Sequence, residues 1–462
     1  MKGVITIVKN ISHNMQSPHN RPVIIVVWAF LMAGLPAGAG GRELAAQNAG
    51  AEEGAAKVEK EVSAVQPVSD KGDPVVAGGP SGTGHIPLNR RTYLRPHPER
   101  DTLTNHYFGL GPKLTEAGIE STLNLWALYQ AVVDGGLESD DGTSGFYFFA
   151  NHFDLEKLVG LTSASIFARI DGSWDDSINE AVGALMPVNT LTFGDESIGL
   201  TQLWFEQDFL EKRVRIRIGK EDVSQNGFDF HGQNASFDAM PYANFQGTQF
   251  LDLGLVNNAS IPFPESGPSA VLFFEPVNRF YAAAAGVSTT AEAFTLIGSD
   301  DFDKWMFLTE TGYVAQPGGL PGLYFAGYWY SQFKDAPSAR GIYLGLAQSL
   351  YREPGTKEQG LGIFARYGYA TDLPTKNFWS IGAQYEGLFP GRDRDVLAIG
   401  WAQSFTTGPQ FDKPYEGALE SYYRACVTPW LHLSPHIQYI VNPGSSDIDN
   451  AITLGVRAQI TF

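Results

Sequence analysis

The chain has 462 residues, with 32 Lys and Arg against 50 Asp and Glu, a formal net charge of -18 and one cysteine. Aromatic residues make up 13% and charged residues only 18%, with 51 glycines; this is a profile of aromatic strands joined by glycine turns, and it excludes a helical bundle. The acidic balance excludes broad nucleic-acid binding, which needs a net basic face, and argues against a phosphate-selective channel, local rings of arginine aside.

At the N-terminus, Lys2, Lys9 and Arg21 precede an apolar run over Pro22–Leu35 and the small residues Pro36–Gly41. That order predicts a signal peptide over residues 1–39; Ala37, Gly38 and Ala39 match the cleavage pattern best, and Ala45, Ala46 and Ala49 leave a later site open. A single membrane anchor is the competing assignment, but the run is shorter than the ~20 residues a spanning helix needs. Residues 40–105 are rich in Ala, Gly, Pro, Glu and Lys. They carry too few large apolar side chains to form a core and are expected to be a flexible, low-complexity periplasmic linker, with at most a short helix near Glu52–Val65.

From His106 onward, segments of period-two alternation recur, separated by turn clusters such as Asp134–Gly136, Asp140–Gly142, Pro317–Gly319 and Asn442–Gly444. No later stretch is long and apolar enough for a transmembrane helix, so an exported chain is soluble, surface-attached or a barrel. Roughly 360 residues at about 22 per strand and connection give close to 16 strands, within a range of about 14 to 18. The expected fold is all-β: a transmembrane antiparallel β-barrel of 16 strands over residues 106–462, preceded by a flexible N-terminal segment.

Alternation then assigns faces. In Ile166–Asp171 it sends Arg169 and Asp171 to the lumen, and in Trp204–Asp208 it sends Glu206 and Asp208. Next, Arg213, Arg215 and Arg217 alternate with Val214, Ile216 and Ile218. Arginine on the lipid face costs about 2–4 kcal/mol near the midplane, which drives all three inward. Arg366 follows from Ile363–Tyr367. Such charges either pair and stiffen the wall or line a constriction where arginine forks, carboxylates and aromatic faces meet a sugar.

In Leu431–Val441, His432, Ser434, His436 and Gln438 share the polar face; the two histidines lie about 13 Å apart in a strand, too far to share a metal. The last strand divides in the same way, with Ile452, Leu454, Val456, Ala458, Ile460 and Phe462 on one face and Thr453, Gly455, Arg457, Gln459 and Thr461 on the other. A soluble sandwich shows the same alternation. The export signal, the aromatic strand ends and the terminal Phe462, a residue type such barrels present for membrane insertion, favour the barrel. This strand should pair with the first, near Gly118–Tyr129, to close it.

The sequence holds no nucleophile elbow, Walker A loop or H-E-x-x-H. Gly109-Leu110-Gly111 is a turn fragment, and a grouping such as Asp229, His231 and Ser236 clusters in a loop without nucleophile geometry. No enzymatic activity, cofactor or metal is expected, and Cys426 reads as a small strand residue.

Several blocks resemble the carbohydrate-selective porins of the OprB type: Phe108–Ile119, Gln202–Phe209 with Arg215–Lys220, and, most specifically, Gly382–Arg392 with Asp395, Tyr415-Glu416, Glu420–Tyr422 and Pro435–Gly444. The resemblance implies a 16-stranded outer-membrane channel for passive diffusion of monosaccharides and small polyols. It transfers a lumen role chiefly to Arg215, Arg217 and Glu206, which alternation already places inside. Implied partners are small sugars as permeating solutes, outer-membrane lipid and the barrel assembly machinery, with the oligomeric state open. No counterpart in the family is assigned to the linker over residues 40–105. It keeps a second reading in view, an outer-membrane component of polysaccharide export or assembly.

Overall fold

The computed structural model describes residues 102–192, 197–226, 228–229, 247–277, 279–356 and 359–462. The expected signal peptide and residues 40–101 of the expected linker lie outside them, as do His231 and Ser236.

The strands run in chain order as β1 Ile119–Gly136, β2 Asp141–Asp154, β3 Ala164–Trp174, β4 Ser197–Phe209, β5 Val214–Glu221, β6 Gly267–Val277, β7 Phe280–Ser288 and β8 Trp305–Ala315. They continue as β9 Gly322–Ser331, β10 Ala339–Arg352, β11 Gly360–Thr371, β12 Thr375–Glu386, β13 Val396–Thr406, β14 Tyr415–Thr428, β15 Leu431–Val441 and β16 Asp449–Thr461. Each pairs antiparallel with its neighbours, and β1 pairs with β16, so the 16 strands form a closed barrel. Closure removes every sheet edge. The seam runs from Asn124 opposite Thr461, through Leu128 opposite Arg457, to Gly136 opposite Asp449.

Alternation along the strands is inside-out relative to a soluble protein. On β16, Thr453, Arg457 and Gln459 are buried while Leu454 and Val456 are exposed; on β5, Arg215 and Arg217 are buried while Ile216 and Ile218 are exposed. Leu272 and Phe274 on β6 and Ile437 and Tyr439 on β15 also face outward. A continuous apolar outer surface is unfavourable in water and matched to hydrocarbon, each such side chain gaining about 1.5–3 kcal/mol when covered. This inversion separates a membrane barrel from a sandwich, which alternation alone leaves open.

The connections differ between rims. The rim that carries the chain end at Phe462 has short links, such as residues 210–213, 278–279 and 429–430, as periplasmic turns do. The opposite rim carries the two longest, residues 175–196 and 222–266. The described parts of both turn back into the barrel. Ile178, Val182, Met186 and Val188 from the first, and Phe228, Phe250, Leu255 and Ile261 from the second, pack against wall residues including Phe273, Tyr281, Trp329, Tyr343 and Phe364. Apolar side chains on the lumen face are therefore satisfied by inserted loops.

Two lumen-facing glycines record how closely the long loop approaches the wall. A Cβ at Gly368 would stand 1.9 Å from Ser260 Oγ, and one at Gly400 would stand 2.8 Å from Leu255 Cδ2.

Candidate functional site

The inserted loops are held by wall carboxylates that accept backbone N–H bonds. Glu416 on β14 accepts from Leu185 N at 2.7 Å, Met186 N at 2.8 Å and Gly444 N at 2.6 Å. One inward pair further along the same strand, Glu420 accepts from Leu251 N and Asp252 N, both at 2.9 Å, and from Gln438 Nε2 at 3.0 Å. A buried carboxylate is expensive unless several donors surround it, so each acts as a docking point with its own directionality.

A second set of bonds fixes the two ends of the long loop's described part. Glu310 on β8 accepts from Asp229 N at 2.9 Å, Tyr281 Oη at 2.6 Å and Tyr343 Oη at 3.0 Å. Arg366 on β11 then pairs with the Asp229 carboxylate at 3.2 Å, and its remaining amines donate to Leu255 O at 3.0 Å and Val256 O at 2.8 Å. Those two carbonyls belong to the short helix Leu253–Val256, whose start is capped by Asp252 accepting from Gly254 N at 2.9 Å. Burial, reinforced by the neighbouring carboxylates of Glu420 and Glu416, pushes the Asp252 carboxyl well above the ordinary carboxylate range.

The loops also hold one another. Thr190 N donates to Leu251 O at 3.1 Å, and Leu253 N donates to Pro187 O at 2.9 Å. Gln438 on β15 donates to Val188 O at 2.8 Å while it bonds Glu420. Loop 175–192 and segment 247–261 thus form one paired layer across part of the lumen, resting on β11 to β15.

The charges expected from alternation lie on the wall, where they pair with one another. Arg169 donates to Asp171 at 2.5 Å and to Gln225 Oε1 at 2.9 Å, with its guanidinium 4.5 Å from the Phe148 ring. Arg215 meets Asp208 at 2.8 Å and Glu206 at 3.2 Å. Arg217 bonds Glu206 at 2.8 Å and also Glu221, and lies 4.2 Å over the Trp204 ring. All are buried. Arg213 does not join them. It sits in the turn after Phe209, where Leu210, Glu211 and Lys212 have left-handed backbone, and it is exposed. The regular strand begins only at Val214, so the alternation that placed Arg213 inward runs one residue beyond the sheet.

Replacing Arg217 with Ala would leave Glu221 buried without its guanidinium partner and Glu206 with Arg215 alone, a loss of about 3–5 kcal/mol. The expected result is a lower urea midpoint for barrel unfolding.

The sequence does not single out Glu310, and it names Glu416, Glu420 and Gln438 only in a family block or on a polar face, without the loop-positioning role they have here. Their signal was faint but physical. Inward carboxylates on β14 face no basic residue at the adjoining register, where Glu420 meets Gln438 and Gly400. They must then be satisfied by something outside the sheet.

The carbohydrate-selective porin family, OprB type, matches residues 138–462. The chain is 23% identical to Porin B of Pseudomonas aeruginosa over 425 residues, covering 79% of this chain and 92% of that one. It is 21% identical to the putative porin QuiX of Acinetobacter baylyi over 420 residues, covering 79% and 94%. Among solved structures it is similar to Pseudomonas putida OprB at high pH, with a TM-score of 0.68 and 21% identity over 79% of this chain and 99% of that one. Since the match spans most of the closed barrel, from the β1–β2 connection to the last residue, this chain belongs to the OprB family of carbohydrate-selective porins of the outer membrane.

Proposed function

We propose that the paired loops are the selective element of this outer-membrane sugar porin, and that monosaccharides and small polyols cross it by passive diffusion beside them. The observation that carries this is the attachment of both loops to Glu416 and Glu420. It narrows a 16-stranded barrel whose unobstructed bore would be an unselective aqueous channel. The surrounding wall alternates hydrogen-bonding groups with aromatic faces, which suits a polyhydroxylated ring, and weak replaceable contacts allow passage. Arg169, Asp171, Glu206, Asp208, Arg215, Arg217 and Arg366 support that wall as paired charges. Phe462, one residue past the closing strand, is the aromatic end offered to the barrel assembly machinery.

The expected outcome in proteoliposomes without an energy source is glucose entry down its gradient. Entry should be unchanged when residues 50–100 are deleted. Loss of uptake in that deletion would favour the polysaccharide export reading.

A further inference from the structure

Among the described residues, two imidazoles in the lumen wall have neither ring nitrogen bonded. His432 and His436 alternate inward on β15 and are 1% and 6% exposed, and Nδ1 and Nε2 of both meet no hydrogen-bond partner among those residues. A buried polar atom in that condition is costly, so four of them on one strand mark a place that a polar guest completes.

Strand pairing sets these rings around two guanidinium groups. On one side Tyr422 stands opposite His436 and Cys426 opposite His432, so Arg424 points inward between them. On the other side Ser434 stands opposite Arg457 and His432 opposite Gln459. Arg424, Ser434 and Arg457 therefore form a row across three strands, about 10 Å from end to end. One histidine lies above that row and one below. Arg424 Nη2 donates to Gln459 Oε1 at 3.1 Å. Gly455 gives the upper ring its space, since a Cβ there would stand 2.4 Å from His436 Nε2. Trp126 on β1 faces Gln459 across the closing seam and brings a flat indole to the cluster.

The cluster lies nearer the periplasmic rim than the loop seat. Along β14 the inward order is Glu416, Glu420, Tyr422, Arg424. Glu420, which lies between the loop seat and the cluster on β14, is engaged by Leu251, Asp252 and Gln438.

We propose that this cluster binds the carboxylate of a small acidic sugar, an aldonate or a uronate, on its way through the lumen. This rests on the porin reading above. A guanidinium fork binds a carboxylate through two parallel N–H bonds. The imidazoles give and accept bonds to hydroxyl groups, and the indole face packs on the apolar side of the sugar chain or ring. A protein of net charge -18 repels free anions from its surroundings, so a fixed cationic site inside the lumen is what admits one.

The test is current block in planar bilayers, with sodium gluconate or glucose titrated onto single channels in symmetrical KCl. Wild-type channels should be half-blocked by gluconate at about one tenth of the glucose concentration, and H432Q/H436Q should raise the gluconate value about tenfold. Heat-modifiable gel mobility establishes that the variant is folded; if the double variant is not, H436Q alone should raise the value about threefold. Equal block by gluconate and glucose in wild type, or unaltered gluconate block in a folded variant, overturns the proposal. If glucose neither permeates nor blocks, the porin reading itself fails, and the two failures are told apart by the glucose arm.

Discussion

Glu420→Ala should release the long loop from the wall and raise single-channel conductance several-fold. The substitution removes the acceptor for Leu251 N, Asp252 N and Gln438 Nε2 at once. Each donor left buried and unsatisfied costs about 1–3 kcal/mol, so the seated arrangement loses roughly 3–9 kcal/mol in total. That is enough to turn a majority state into a minority one, since 1.4 kcal/mol is about a factor of ten. Glu420→Gln keeps one acceptor oxygen and should fall between. The β14 ladder itself is made of backbone bonds to β13 and β15, so the barrel should stay folded while the loop moves. An unchanged conductance in the folded Ala variant would mean that the loop is held elsewhere.

Arg366→Ala should act on the same loop from its other attachment. It strips the Asp229 carboxylate of its ion pair and leaves Leu255 O and Val256 O without their guanidinium donors. Breaking one partner of a buried pair costs about 3–5 kcal/mol. Conductance should again rise several-fold, with increased open-channel noise as the segment samples more than one position. Because both substitutions release one element, Glu420→Ala and Arg366→Ala together should give less than the sum of their separate effects. Full additivity in the double variant would show that the two attachments serve different elements.

The barrel was legible in the sequence because lipid imposes a strict rule on every strand. Thr453, Arg457 and Gln459 could not share a face with lipid, and the pattern that hides them also exposes Leu454 and Val456. The same rule points Arg169, Asp171, Glu206, Asp208, Arg215, Arg217 and Arg366 inward, and all seven are buried. It failed at Arg213, where the hairpin turn had already begun.

What alternation could not supply was the third dimension of the lumen. Leu185 and Met186 bond Glu416 across more than two hundred residues of sequence, and no local pattern encodes such a meeting. Periodicity can say that Glu416 and Glu420 face inward, but not that a loop's N–H groups will be waiting there. The identity of the channel's narrow part is therefore a tertiary property. The charges that alternation singled out prove to be wall pairs, such as Arg217 with Glu206 and Glu221.

The central claim is that the seated loops make this barrel a selective sugar channel, and liposome swelling with a solute panel tests it most directly. Wild-type protein should admit glucose faster than a disaccharide and faster than amino acids of similar size, and Glu420→Ala should admit the disaccharide nearly as fast as glucose. Equal rates for all solutes in wild type, or size discrimination fully retained in the folded Glu420→Ala variant, would contradict it.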